Sequence, residues 1–366
     1  MNSRKHHYDT ILLYIVFALV VFGITILSSA SVVISNENFG EPYYYLKHQL
    51  FNGLAVGLAL FYAGFKIDYK FWKKISLPLI ILSIVLLLMV FSDNFGFNRG
   101  IATRWLAFGG LMFQPTEIVK LFFIFYLAAL FEKKKKNVKD FYKGFIPFII
   151  ILSVISALVA AQPDIGTLGV IAAISLAIYF VAGADIRHLF LICLTGSAAL
   201  FVLVKAAPYR MDRFTAFINP GIDPTGISYQ INQALIAIGM GGLWGLGYGY
   251  GQQKILYLPE VIGDSIFAII AEELGFVGGT VIIALFVILA IRGFKIAKHA
   301  PDKFAELTAF GIVFWIIFQA FINIASISGI VPMTGVPLPF ISYGGTSLAL
   351  NLFGMGVVLN ISKHTI

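Results

Sequence analysis

The chain has 366 residues, 59% of them hydrophobic and only 12% charged, with a mean hydropathy of +0.90. Ordinary soluble domains carry about a quarter charged residues, so a soluble globular protein is excluded and lipid is the main solvent. The formal charge of +8 does not signal nucleic-acid binding, because the basic residues sit in short loops beside apolar runs. A lone cysteine, Cys193, excludes an internal disulfide framework. The six histidines are scattered without the spacing of a structural zinc site.

In chain order, Arg4 and Lys5 precede an apolar run from Ile11 to Leu27, closed by Ser28, Ser29, Ala30 and Ser31. This imitates a signal peptide, but the run is longer than a secretory core and more spans follow, so it reads as an uncleaved first helix. A spanning helix needs about 20 apolar residues. Ten windows meet that need, near 11–33, 49–66, 75–92, 117–132, 145–162, 165–184, 188–206, 265–292, 305–328 and 344–362. They predict an all-α polytopic membrane protein with a single transmembrane domain over 1–366.

Orientation follows from the basic residues. Arg4 and Lys5, Lys66, Lys70, Lys73 and Lys74, Lys133 to Lys136, Lys139 and Lys143, Arg187, Arg292, Lys295, Lys298 and Lys303, and Lys363 fall on alternate loops. The positive-inside rule makes those loops, and both termini, cytoplasmic. The Lys133–Lys136 run reads as an orientation signal, with a lipid or partner patch as the alternative.

Segments 93–116, 207–264 and 329–343 lie on the opposite side. The second is the one long connection, rich in Tyr, Phe, Ile and Gly without low-complexity tracts, and long loops that stay ordered are usually functional. Within it Ile231, Ala234, Leu235 and Ile238 recur at helical spacing beside Gln230 and Gln233, the pattern of a short helix at the membrane surface. No internal repeat is evident, which weakens a repeat-built transporter.

Polar residues at membrane depth are costly and usually functional. Arg104, beside Trp105, can grip a phosphate through its fork of donors or anchor the chain at the interface. Pro115 can open the fourth span, putting Glu117 and Lys120 one turn apart on one face. There they either neutralise each other or line a polar cavity. Asp164 caps the next helix or lines the same cavity. Glu260 and Asp264 close the long outer loop where the eighth span begins. The helix dipole favours an ionised Asp264, and an N-cap role would not exclude a reactive one. Glu272 and Glu273 read as satisfying the polar interior. The Pro- and Gly-dense stretch from Pro332 to Ser347, with Ser342 in it, specifies irregular backbone buried in protein or lining a wet cavity. The glycines at 239, 241, 242, 245, 247, 249 and 251 form no phosphate loop, since no strand precedes them and no Gly-Lys-Ser/Thr follows.

Taken in order, QPTEIVKL from Gln114, QPDIGT from Gln162, YQINQALIAIGMGGLWGLGYG from Tyr229, LPEVIGDSIFAIIAEELG from Leu258 and LPFISYGGTS from Leu338 resemble the SEDS family (shape, elongation, division and sporulation). These are membrane peptidoglycan glycosyltransferases. The likeness runs from the first span to the last. The stretch from Gln253 to Glu260 and Tyr209 to Phe214 resemble the division branch more than the elongation branch. One departure stands out: members usually carry His-Thr just before the aspartate, whereas this chain has Ile262-Gly263 before Asp264.

The resemblance implies polymerisation of lipid II, a disaccharide-pentapeptide on undecaprenyl diphosphate, at the inner membrane of the division septum. Asp264 would act as general base on the acceptor hydroxyl, with inversion at the donor. Arg104, Lys120, Arg210, Arg213 and Lys254 are candidates to balance the diphosphate, and Glu117, Asp164, Glu260 and Ser342 to line the substrate site. No cofactor is demanded, and a divalent cation (Mg or Mn) stays open. The implied partners are a class B penicillin-binding protein transpeptidase and other divisome proteins, besides membrane lipids. The competing classes are a lipid II flippase or other transporter, an elongation-type polymerase, and a scaffold without chemistry.

Overall fold

The computed structural model describes residues 7–92, 95–99, 102–108, 111–205, 208–219, 221–223, 226, 228–255 and 257–365. Arg4, Lys5 and Leu256, and the side chain of Tyr209, which entered the sequence reading, lie outside what is described.

The first half of the chain forms α1 (Thr10–Ala30), α2 (Val32–Phe39), α3 (Tyr44–His48), α4 (Val56–Lys66), α5 (Tyr69–Lys74), α6 (Ser76–Met89) and α7 (Pro115–Lys134). The second half forms α8 (Ile146–Ala161), α9 (Ile165–Val181), α10 (Ile186–Lys205), α11 (Pro208–Ile218), α12 (Tyr229–Gly241), α13 (Ile266–Lys298), α14 (Lys303–Ile327) and α15 (Gly345–Ser362). A π-helical turn, Gln49–Ala55, leads into α4, and another, Phe141–Phe145, leads into α8. Each of the ten apolar windows coincides with a helical run. Among the described residues, six helices are long and apolar enough to cross a membrane by length and composition. The core is formed by α15, buried nearly all round, and the more exposed α14, with α4 packed on α15 and α7 on both. By contrast α10 touches the bundle little, and of its residues only Ile192 is buried.

Side-chain contacts sort the loops into two ends. At one, Arg292 pairs with Asp9 (2.5 Å), Lys73 with Glu132 (2.6 Å), the Tyr69 hydroxyl donates to Asp302 (2.7 Å), and Lys303 Nζ donates to the Val181 carbonyl (3.0 Å). At the other, Arg104 meets Asp164, Gln230 meets Asp264, and Arg213 meets the Met333 carbonyl. This is the alternation the basic residues predict, and it makes the first end cytoplasmic.

Two features depart from the sequence reading. Segment 93–116 carries a three-stranded antiparallel meander, β1 (Gly96–Arg99), β2 (Ala102–Phe108) and β3 (Leu111–Phe113), in an otherwise helical chain. The eighth span is not one straight helix from 265, because α13 breaks at Gly275, whose φ is +67°. Glycine is needed there both for that backbone and because a Cβ would run into Gly245 N and the Leu243 carbonyl. Phe276 to Lys298 then suffices to cross about 30 Å of hydrocarbon.

Both ends of the part before the break sit at the outer level. Asp264 meets Asn323, which is 20 residues and so about 30 Å beyond Lys303 on α14. Glu273 meets Ser29, which is 20 residues beyond Asp9 at the start of α1. The segment Ile266 to Leu274 therefore runs across the outer mouth. The helix expected around Ile231 to Ile238 is α12, which packs along this segment.

Candidate active site

Asp264 stands at the entrance to α13, in a loop shaped by its neighbours. The Glu260 carbonyl accepts from Gly263 N (2.9 Å) and Ser265 N (3.2 Å), and Glu260 itself has a left-handed backbone, φ +51°. Such a conformation costs a non-glycine residue of order 1–3 kcal/mol and tends to occur at functional sites. Segment 329–343 holds the same loop from the other side. Ser342 Oγ donates to the Gly263 carbonyl (2.7 Å) and accepts from Leu338 N (2.8 Å), and Tyr343 N donates to the Ile262 carbonyl (2.8 Å). Asn323 Nδ2 donates to the Asp264 carbonyl and to the Val336 carbonyl, both at 2.8 Å. The Pro- and Gly-dense stretch thus acts as a rigid brace under Asp264.

The carboxylate itself is less well served. Its Oδ1 accepts from Gln230 Nε2 at 3.3 Å. Burial pushes its pKa up from 3.8 to about 6, the negative Glu260 adds to the rise, and the positive charge of Arg213 opposes it. That value suits a group that must be ionised yet basic near neutral pH. Arg213 reaches in from α11, its Nη1 donating to the Met333 carbonyl (3.3 Å). Gly335 lies between them: a Cβ there would stand 3.6 Å from Arg213 Nη1 and 3.8 Å from Asp264 Oδ2.

The other candidates fall into three separate groups. Lys120 bonds Glu117 (2.7 Å) and Gln319 Oε1 (2.8 Å), where Trp315 Nε1 also donates (2.8 Å), and Gln319 Nε2 reaches the Pro337 carbonyl (3.0 Å). Both charged side chains are almost fully buried and paired with each other, while Glu117 Oε2 has no hydrogen-bond partner among the described residues. Lys254 bonds Glu273 (2.6 Å), Ser29 Oγ (2.7 Å) and the Gly249 carbonyl (2.8 Å), again buried. Its ammonium is neutralised inside the protein. Glu272 accepts from the backbone N of Gln252 (2.7 Å) and Gln253 (3.0 Å). Glu272 and Glu273 therefore satisfy the interior, as their sequence position implies.

The third group lies where the meander meets the start of α9, and Arg210 stands apart from all three on α11. Arg104, on β2, donates to the Gln162 carbonyl (3.3 Å) and the Pro163 carbonyl and stands 3.8 Å from Asp164, which caps α9 through Thr167 N (3.3 Å). Arg210 Nη1 donates to the Leu203 carbonyl (2.7 Å). The glycines at 241 and 245 serve close packing: a Cβ on either would run into the carbonyl of Ala271 or Glu273 on α13. Among the described residues no group of three His, Cys, Asp or Glu side chains is arranged for a metal ion.

Sequence reasoning missed Gln230 as a neighbour of the aspartate, and it did not distinguish Arg213 from four other cations. The glutamine offered a signal in hindsight, being a polar residue on the face of α12 adjoining the buried Ile231 and Ala234.

Fold and site together define a polytopic α-helical membrane protein with a carboxylate at its outer mouth that Arg213 offsets only in part. The chain belongs to the cell cycle protein family FtsW/RodA/SpoVE, whose model matches residues 9–366. It is 40% identical over its whole length to stage V sporulation protein E of Bacillus subtilis strain 168, covering all of that protein. It is also 40% identical to a probable peptidoglycan glycosyltransferase FtsW of Trichlorobacter lovleyi, over 98% of this chain and 94% of that one. Among solved structures it resembles Thermus thermophilus rod shape determining protein RodA, with a TM-score of 0.71, 27% identity, and 97% and 96% of the two chains covered. A chain described under "Structural coordination of polymerization and crosslinking by a peptidoglycan synthase complex" gives a TM-score of 0.77 at 26% identity, with 97% of each chain covered.

Proposed function

We propose that this protein is a peptidoglycan glycosyltransferase that polymerises lipid II on the outer face of the membrane, with residues 1–366 acting as one unit. The observation that carries this reading is the Asp264 carboxylate. It is buried enough for its pKa to rise to about 6, braced from 329–343, and left with one side-chain donor. A general base near its operating pH is worth about 10²–10⁴ in rate. In the reaction an acceptor sugar hydroxyl attacks the anomeric carbon of the donor. Its proton passes to Asp264, the bond from the anomeric carbon to the diphosphate oxygen breaks, and the lipid diphosphate leaves with the electron pair and inversion. One carboxylate suffices because diphosphate needs no protonation to leave, unlike the alkoxide that glycosidases expel with a second acid.

Charge on the leaving group is balanced by Arg213, with Arg104 and Arg210 further along the outer rim. Glu260 keeps Asp264 basic. Ser342, Glu117, Lys120, Asp164 and Lys254 shape the site from behind by fixing the loops and helices that line it.

The test is polymerisation of lipid II by purified protein in liposomes. Wild type is expected to make glycan strands and Asp264→Ala to make none. Strands of wild-type yield from the variant would remove Asp264 from the chemistry, and translocation of lipid II without polymerisation would replace the enzyme with a flippase. A class B transpeptidase is the expected partner, supported by the likeness to a chain of a peptidoglycan synthase complex, and its addition should raise the polymerisation rate. The likeness to the division branch supports a setting at the septum, and the full-length match to stage V sporulation protein E supports one in spore formation.

A further inference from the structure

The two oxygens of Asp264 have unlike surroundings. Oδ1 accepts from Gln230 Nε2 at 3.3 Å, and the same nitrogen donates to Ser265 Oγ at 3.1 Å. Oδ2 looks toward Gly335, whose missing side chain leaves that flank open beside Arg213 Nη1. The residues just before the aspartate, Val261, Ile262 and Gly263, carry no side-chain donor, so among the described residues Gln230 is the side chain that donates to this carboxylate. Its position is well supported. Ile231, Ala234 and Ala237 of α12 are buried against α13, and Gly241 packs on the Ala271 carbonyl.

We infer that Gln230 is a positioning residue for the transfer: its amide pins Oδ1 of Asp264 and leaves Oδ2 as the atom that takes the acceptor's proton. The inference rests on the reading of Asp264 as the general base. Its physical content is twofold. A pinned carboxylate presents one oxygen in a fixed direction, and positioning of reacting groups is a large part of catalysis. A hydrogen bond to the ionised form also favours that form. The charged groups facing Asp264 are Glu260 from its own loop and Arg213 from α11, and neither changes when Gln230 is replaced.

The test uses the full-length protein in liposomes with lipid II, comparing wild type with Gln230→Met, which keeps the volume and removes the donor. The acid limb of kcat/KM is expected to move up by about one pH unit, the usual scale of a lost hydrogen bond to a carboxylate. Activity at pH 6.5 then falls about threefold, approaches a tenfold loss at about pH 5 and hardly changes at pH 8.5, with KM little changed. Carbodiimide labelling of Asp264, read by mass spectrometry against pH, should show the same upward shift without any turnover. Gln230→Asn, one methylene too short to reach, serves if the methionine variant does not fold and should shift the limb equally. An unmoved limb, or an equal loss at every pH with a raised KM, would overturn the inference and make Gln230 a packing or substrate-contact residue. If Asp264→Asn still polymerises, the base reading itself has failed. If it is inactive while the Gln230→Met profile is unmoved, only the positioning role has failed.

Discussion

Lys254 and Asp264 are ten residues apart in sequence and meet opposite surroundings. Lys254 is enclosed: Glu273 matches its charge, and Ser29 and the Gly249 carbonyl take further protons of the ammonium. The Lys120 ammonium is enclosed in the same way by Glu117 and Gln319, which also accepts from Trp315 Nε1, while Glu117 Oε2 is left without a partner among the described residues. Asp264 has one side-chain donor, a like-charged neighbour in Glu260, and Arg213 acting on it through space. Charges at membrane depth are expensive, and the two closed clusters cancel that expense locally, as structural elements must. The mouth offsets it only in part, through Arg213 and Gln230, and a carboxylate left with a raised pKa is one that accepts a proton near neutral pH. Enclosure separates the cations paired inside the bundle from the charged groups at the mouth, whereas residue type alone does not.

The comparison breaks first at Asp264. Replacing it with Ala should cost about 10²–10⁴ in lipid II polymerisation while leaving the thermal unfolding midpoint at pH 7.5 unchanged or raised. The sign follows from linkage. A carboxylate whose pKa is higher folded than unfolded binds its proton more readily in the folded state, so stability falls as pH rises from the ordinary value through about 6. A neutral residue removes that loss.

Lys254 should behave in the reverse manner. Lys254→Met leaves Glu273 buried without its cation, which costs about 3–5 kcal/mol, read as a lower unfolding midpoint in detergent. The double variant Lys254→Met/Glu273→Gln should recover most of it. A Lys254→Met protein as stable as wild type but inactive would move Lys254 from the closed class to the open one.

Arg213 sharpens the contrast on a smaller scale. Arg213→Ala should lower kcat/KM for lipid II about tenfold, the scale of a charge-assisted contact, with little change in stability because the side chain is exposed. Arg213→Lys should restore part of the activity.

Much of the fold could be read directly from the amino acids, because lipid imposes a long apolar run on each span and a bias of Lys and Arg on one side. The loop that carries Asp264 was legible for a related reason, since two carboxylates beside an apolar helix are conspicuous. What escaped was governed by contacts across the sequence. Gln230 lies 34 residues before Asp264, so nothing local joins them. The strands of the meander span three to seven residues, too short for a two-residue period to stand out. Gly275 is one of three glycines within five residues, and only its approach to Leu243 and Gly245 explains why the helix breaks there. The roles of Lys120 and Lys254 were ambiguous until their partners could be seen, because a lysine in an apolar helix looks the same whether its anion is internal or a ligand.

The most direct measurement is the pH dependence of kcat/KM for lipid II polymerisation by the wild-type protein in liposomes between pH 4.5 and 8. Asp264 must be ionised to accept the proton, so activity should be level above about 6 and fall tenfold per unit below it. A profile that stays flat down to pH 4.5 would contradict the assignment of Asp264 as the base.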